Sequence, residues 1–328
     1  MRSCGSRQGF FCAAVLIAGA LCATPLAVAQ KYPVQMVRII IPTTPGGAVD
    51  AFGRGIGRRL EQVLGTTVVV ENRAGANGAI GAEFVAKAAP DGSTLLVIFA
   101  SHVVNPLFTK NVAYDPIGDF TPIVRIGNIP LILVTHPSVP VTSLKSLIAL
   151  AKAKPGMLTF ASGGVGSGGH LSGELLKYMT RIDITHIVYK GNALALTDVR
   201  GGHVSMMFDT ITTGLPHAQQ GKLRLLAVTS AMRSPQTPAT PTMSEAGLPG
   251  FETDAWYALL GPARMPRDIV ERLNGEVNKA FNDQAFRENF VAQGVRFVGG
   301  SPAQLDAHMR AESKRWAEVI AASGMKPE

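Results

Sequence analysis

The stretch 160–179, FASGGVGSGGHLSGELLKYM, restricts this chain more than any other. A short apolar run ends at Ser162, and five glycines then fall within the seven residues from Gly163 to Gly169. An amphipathic run from His170 to Met179 follows. That order reads as a strand, a bare-backbone turn and the start of a helix. Free backbone N–H groups at such a helix start, with Ser162 and Ser167 among them, make a ready site for an anion. The run from Gly164 to Gly169 also matches the G-x-G-x-x-G spacing of dinucleotide-binding turns. In those turns the acidic partner ends the next strand, whereas Asp183 precedes the strand expected over 185–189, and Lys190 follows it. No G-x-S-x-G elbow and no G-x-x-x-x-G-K-[ST] loop occurs, so nucleophilic-serine and nucleoside-triphosphate chemistry lack their usual anchors.

The first 29 residues read as a secretory signal peptide. Arg2 and Arg7 precede an apolar run over 10–21, and Ala27-Val28-Ala29 gives a small-x-small cleavage pattern before Gln30. Export to the periplasm is therefore expected. All three cysteines (Cys4, Cys12, Cys22) fall inside that segment, which leaves the mature chain without a disulfide, a metal thiolate or a catalytic thiol. Loss of Arg2 and Arg7 lowers the formal charge from +8 to +6. The basic residues are scattered and not interleaved with aromatics, which speaks against nucleic acid and suits a small anionic partner.

Along the mature chain, apolar strand-like runs alternate with helical patterns, the mark of a parallel α/β sheet. Strands are expected at 37–41, 67–70, 94–99, 158–160, 185–189, 203–208 and 223–228. Helices are expected at 50–64, 79–88, 143–152, 193–200, 214–220, 267–281 and 301–320. Two longer extended runs, 124–135 and 253–260, are long enough to cross from one lobe to another and back. The expected organisation is a first lobe of 30–128 and 254–328 and a second lobe of 129–253.

In an open α/β sheet, ligands sit outside the C-terminal ends of the strands. The first lobe offers Thr43, Thr44, Gly46, Gly47 and Asp50 after its first strand, and Ser101 and His102 after its third. The second offers Ser162, Gly163, Gly166 and Ser167, then Tyr189 and Lys190, then Asp209. Neither a His pair nor a carboxylate cluster stands at metal-ligand spacing, so neither metal nor cofactor is expected.

Six stretches carry a resemblance: PTTPGGAVD, VVENRAGANGAIGAE, AAPDGSTLL, FASGGVGSGGHL, YKGNALALTDVRGGHV and GKLRLLAVT. Together they resemble the Bug family, the periplasmic solute receptors of tripartite tricarboxylate transporters, over nearly the whole mature chain. The resemblance implies a two-lobed, Venus-flytrap α/β fold of the type II-like periplasmic-binding kind. It also implies a small carboxylate ligand, no catalysis, and recognition of the closed form by a membrane permease or a sensor-kinase ectodomain. A monomer is expected. Carried over by residue, Thr43, Thr44, Gly46, Gly47 and Asp50 would clamp the ligand against Ser162, Gly163, Gly166 and Ser167. The chain departs from the family where Thr43 and Thr44 replace an aromatic and a proline or alanine, and where Leu194 replaces a proline.

Several of these residues have a plainer reading. Asp50 is placed to cap its helix as well as to meet ligand. His170 suits local hydrogen bonding at a helix start, Lys190 a solvated strand end, and Trp256 and Tyr257 hinge packing. Asp209 would repel a carboxylate unless an ammonium group faced it. The competing class is a secreted α/β enzyme acting on a small acid, for which no nucleophile–base pair is visible in the sequence.

Overall fold

The computed structural model describes residues 32–109, 112–291 and 294–323. The signal segment read over 1–29 lies outside the described residues. Strand β1 (Met36–Ile41) leads through a turn to α1 (Ala48–Leu64), followed by β2 (Thr67–Asn72), α2 (Ala79–Ala86) and β3 (Thr94–Phe99). β1 runs parallel to both β2 and β3, between them. Its isoleucines are needed on both faces. Val37, Ile39 and Ile41 pack with Phe52, Ile56 and Leu60 of α1, while Ile40 points the other way toward Val85 of α2.

α3 (Ser101–Phe108) then leads to the long strand β4 (Phe120–Thr135). A second alternating set follows: α4 (Leu144–Ala153), β5 (Thr159–Ser162), α5 (Gly168–Thr180), β6 (Thr185–Val188), α6 (Asn192–Arg200), β7 (Met206–Thr210), α7 (Ile211–Gln219) and β8 (Arg224–Val228). The chain ends with β9 (Asp254–Pro262), α8 (Arg267–Ala280), α9 (Gln284–Val291), β10 (Arg296–Gly299) and α10 (Pro302–Ser323).

The strands form one path, β2-β1-β3-β9-β4-β7-β5-β6, with β8 and β10 also paired to β4. Parallel groups at each end (β2-β1-β3 and β7-β5-β6) are joined by antiparallel pairing through β9 and β4. β4 links them: Phe120 to Pro130 pair with β9, and Leu131 to Thr135 pair with β7 and β8. The return differs from expectation. β9 stays with β3 and β4, and the chain comes back just before it. There the Thr253 N–H donates to the Thr229 carbonyl (3.1 Å), and the Thr229 N–H donates to the Leu131 carbonyl (2.9 Å).

Other differences are local. β7 starts at Met206, three residues later than the apolar pattern suggests, because the His203 N–H donates back to the Asp198 carbonyl and holds 201–205 as a turn. α7 begins at Ile211, directly after β7, which moves its N-terminus to the strand end. α3, α9 and β10 were not expected. α10 packs against α3, α5 and β4 together, so it bridges the helix that follows β3 and the helix that follows β5.

Candidate functional site

Five helices begin at the C-terminal ends of parallel strands: α1 after β1, α3 after β3, α5 after β5, α6 after β6 and α7 after β7. A cavity of about 140 Å³ opens where these starts meet. Val49 reaches it from the first turn of α1, Ala100 from just before α3, and Gly168 and Gly169 from the first turn of α5. Asn192 opens α6, and Thr210 immediately precedes α7. Phe99, Leu131, Ala255 and Tyr257 make the apolar part of the wall, and Ser167 completes it. Among the described residues no charged side chain lines this cavity. Each helix start carries N–H groups without intrahelical partners and a partial positive charge. The convergence therefore favours an anion without supplying a cationic side chain.

Local chemistry fixes each start. Ser167 caps α5 by accepting from the His170 N–H (3.4 Å). Gly169 has no room for a side chain, since a Cβ there would lie 2.7 Å from the Phe208 carbonyl oxygen. Asn192 donates to Asp209 Oδ1 (3.0 Å). The Tyr257 hydroxyl has no protein partner among the described residues, and the ring lines the cavity. A larger cavity, about 240 Å³, lies on the other face of β9. Strand alternation sends Asp254 and Trp256 there and Ala255 and Tyr257 to the cleft. Its polar groups are only partly paired: Asn128 donates to Asp254 Oδ2 (2.9 Å), and the indole N–H groups of Trp256 and Trp316 donate to Glu312 (3.2 and 3.0 Å), while Arg125 Nε, Asp254 Oδ1 and His308 Nε2 have no partner among the described residues. Only two helix starts reach it, those of α3 and α5 through Ala100 and Gly168, whereas five meet at the smaller cleft, which is the candidate site.

Of the residues singled out from sequence, the structure brings only Ser167 to the cavity wall, beside Gly168 and Gly169. Gly46 and Gly47 are exposed at the start of α1, with Thr44 next to them. Thr43 is half-buried and its hydroxyl oxygen has no partner among the described residues. Asp50 is committed to the protein. It accepts from the Gly46 N–H (3.1 Å), Arg54 Nε (3.0 Å) and Asn72 Nδ2 (2.9 Å). Burial pushes its pKa up, but these hydrogen bonds outweigh that and hold it below the usual carboxylate range.

Ser101 donates to the Asn77 carbonyl (3.3 Å). His102 is a core residue. It lies 3.0 Å from the Pro116 carbonyl, stacks on Tyr114, and is pushed down to about 4 by burial. Gly163 is tied by its carbonyl to the Gly191 N–H (3.0 Å), and the Gly166 N–H donates to His170 Nδ1 (3.0 Å). Tyr189 turns away and donates to Asp198 (2.6 Å), and Lys190 is exposed. Asp209 is fully buried behind Asn192. Besides Asn192 it accepts from the Thr210 N–H (2.8 Å) and the Thr213 hydroxyl (2.7 Å), and burial raises its pKa to about 6.

The sequence reading missed Asn192 and gave Tyr257 to core or hinge packing. The first could have been found as the residue opening the helix after YKG. The second follows only once the strand's two faces are known.

One pairing invisible in sequence does form. Ser162 Oγ lies 2.7 Å from His186 Nε2. That serine is fully buried, also bonds the Gly164 carbonyl (3.1 Å), and accepts from the Gly164 N–H (3.3 Å). No carboxylate pairs with His186 among the described residues. The pair anchors the glycine loop; it presents no accessible nucleophile.

The family model for the "tripartite tricarboxylate transporter family receptor" matches residues 53–325. The chain belongs to that receptor family. Protein BugT of Bordetella pertussis is 38% identical over 314 residues, covering 95% of this chain and 96% of BugT. Among solved structures, the R. palustris protein Rpa4515 with adipate superposes with a TM-score of 0.81 at 37% identity, covering 91% of this chain and all of that one. MatC from Rhodopseudomonas palustris, with bound malate, gives 0.77 at 32% identity and coverage of 88% and 100%. The family's members are periplasmic solute-binding receptors, and the mixed α/β architecture with a curled sheet is the two-lobed fold of such proteins.

Proposed function

We propose that this receptor captures a small carboxylate with an apolar midsection in the cleft between its lobes and delivers it, without chemical change, to a tripartite tricarboxylate-type permease. The observation that carries this reading is the meeting of five helix N-termini at one cavity free of charged side chains. Anionic ends suit those helix starts. The wall between them, built by Phe99, Leu131, Ala255 and Tyr257, suits methylenes or a ring better than hydroxyl groups. Adipate in Rpa4515 and malate in MatC are consistent with carboxylate capture. Lobes of 30–128 plus 254–328 and of 129–253 would close about β4 and the 229–253 return.

A thermal-shift titration of ligand-stripped mature protein tests the reading. The panel would hold adipate, malate, citrate, aspartate and benzoate. A ligand that binds only the folded form raises Tm with concentration. The expected result is a saturable shift, larger for adipate than for malate, that Ser167→Trp abolishes. Absence of any shift across the panel would overturn the carboxylate assignment.

A further inference from the structure

Asn77 stands out for its backbone and for its reach. It sits in the short 3-10 turn Ala76–Gly78 with φ 52 and ψ 37, a left-handed conformation that side chains other than Asn and Asp rarely adopt. Such outliers persist where surrounding contacts enforce them. Here α3 does so. The Asn77 carbonyl accepts from Asn105 Nδ2 (3.1 Å) and from Ser101 Oγ (3.3 Å), and Asn77 Nδ2 donates to Asn105 Oδ1 (2.8 Å). Asn105 is buried and held in turn by the Tyr114 hydroxyl (3.3 Å).

The other hydrogen of the Asn77 amide is aimed outward. It donates to the Val165 carbonyl at 2.6 Å, in the glycine loop before α5, 88 residues away in sequence. That loop is fixed from its own side, because the Gly166 N–H donates to His170 Nδ1 (3.0 Å). Gly166 has φ 74, and a Cβ there would come within 3.1 Å of Asn77 Nδ2 and 3.3 Å of Val104 Cγ2. Donor and acceptor are thus both held in place before they meet, one by each lobe. Residue chemistry narrows the choice at this position. Glycine would accept the backbone but offers no donor, and aspartate would accept it but could only repel the carbonyl.

We infer that Asn77 is a latch that closes the two lobes on each other before ligand arrives and slows their opening afterwards. The inference rests on the two-lobed fold and not on the nature of the ligand. Asn77 supplies the donor, Asn105 and Ser101 position it, and the Val165 carbonyl receives it. The glycine at 166 leaves room for the approach.

The test uses the absence of cysteine after residue 22. Gln62→Cys and Lys145→Cys, on exposed positions of α1 and α4, take a pair of spin labels whose separation is read by pulsed electron paramagnetic resonance. In unliganded protein the short-distance population should be present. It should shrink in Asn77→Gly, which keeps the left-handed backbone, and further in Asn77→Asp. Gly166→Ala, which wedges the contact from the opposite lobe, should act the same way. With adipate as probe, the dissociation rate should rise about 2- to 10-fold in Asn77→Gly, the range expected for one net hydrogen bond. A merely structural Asn77 would lower Tm and leave the distance distribution unchanged, and that result overturns the latch. So does a wild-type distribution with only the long distance. If no acid of the panel binds, the carboxylate reading fails while the distance measurement still decides the latch.

Discussion

At the scale of single residues, the site separates groups that hold the protein together from groups left over for a ligand. Tyr257 belongs to the second kind. It is buried in β9, lines the cleft and makes no hydrogen bond to protein among the described residues. Tyr257→Phe should therefore leave the urea midpoint within about 0.5 kcal/mol of wild type, as for a change that breaks no intramolecular bond. Its effect should appear in the adipate dissociation constant instead, read by calorimetry. A drop in stability with unchanged affinity would place the hydroxyl in a protein network. Gly169 is of the first kind. Its neighbour across the gap is the backbone carbonyl of Phe208, which cannot rotate away. Gly169→Ala should push the α5 start off β7 and cost about 1–3 kcal/mol in urea unfolding, the usual range for overpacking. Adipate affinity should fall with it. Full retention of both would mean that the first turn of α5 shifts freely.

At the scale of elements, β9 shows how one strand serves two compartments. β9 turns Ala255 and Tyr257 to the cleft and Asp254 and Trp256 to the cavity behind it. On that rear face Glu312 of α10 accepts from both buried indoles, Trp256 and Trp316. Glu312→Ala leaves two buried N–H donors without a partner, and each orphaned donor costs about 1–3 kcal/mol. The expected result is a lowered urea midpoint, with Glu312→Gln recovering part of the loss because its amide oxygen still accepts. Equal midpoints for Glu312→Ala and wild type would mean that water replaces the carboxylate there.

The same elements show what the sequence could reveal. β1, β3 and α1 were legible because the largely apolar runs VRIII and LLVIF and a 3.6-residue period leave little choice of state. The placing of helix starts at strand ends was legible too, since it follows from topology. Its wall was not. The donors are largely backbone groups that no residue type announces. Asp50, His102 and Asp209 looked like functional side chains because they are polar, yet each is spent on neighbours that only the folded chain brings near. α9 and β10 escaped notice because they are short, and residues 284–299 carry no sustained period.

For the whole molecule, burial sets the response to pH. His102, His186 and His308 are pushed down to about 4 and His170 to about 3, in each case chiefly by burial. Lys177 adds to the effect at His170 and His186, and the two rings, stacked at 4.2 Å, oppose each other's charging. An unfolded histidine takes a proton near pH 6.5. Between that pH and about 4, the unfolded chain therefore binds protons that the folded chain refuses, and stability is lost as pH falls. Asp209 and Asp254 work the other way. Burial raises both to about 6, so the folded state binds their protons over 3.8–6 while the unfolded state does not, and acid favours folding at those two sites. These four rings, with His217 lowered in the same direction by burial, against two carboxyls leave a net loss in acid. The urea midpoint should be flat near pH 7 and decline from about pH 6.5 toward 4. Asp209→Asn removes one opposing group, so its midpoint should decline more steeply over the same interval, whatever the substitution does to stability at pH 7. A midpoint that rose as pH fell from 6.5 to 4 would show that the buried rings ionise inside the fold, and it would overturn this assignment.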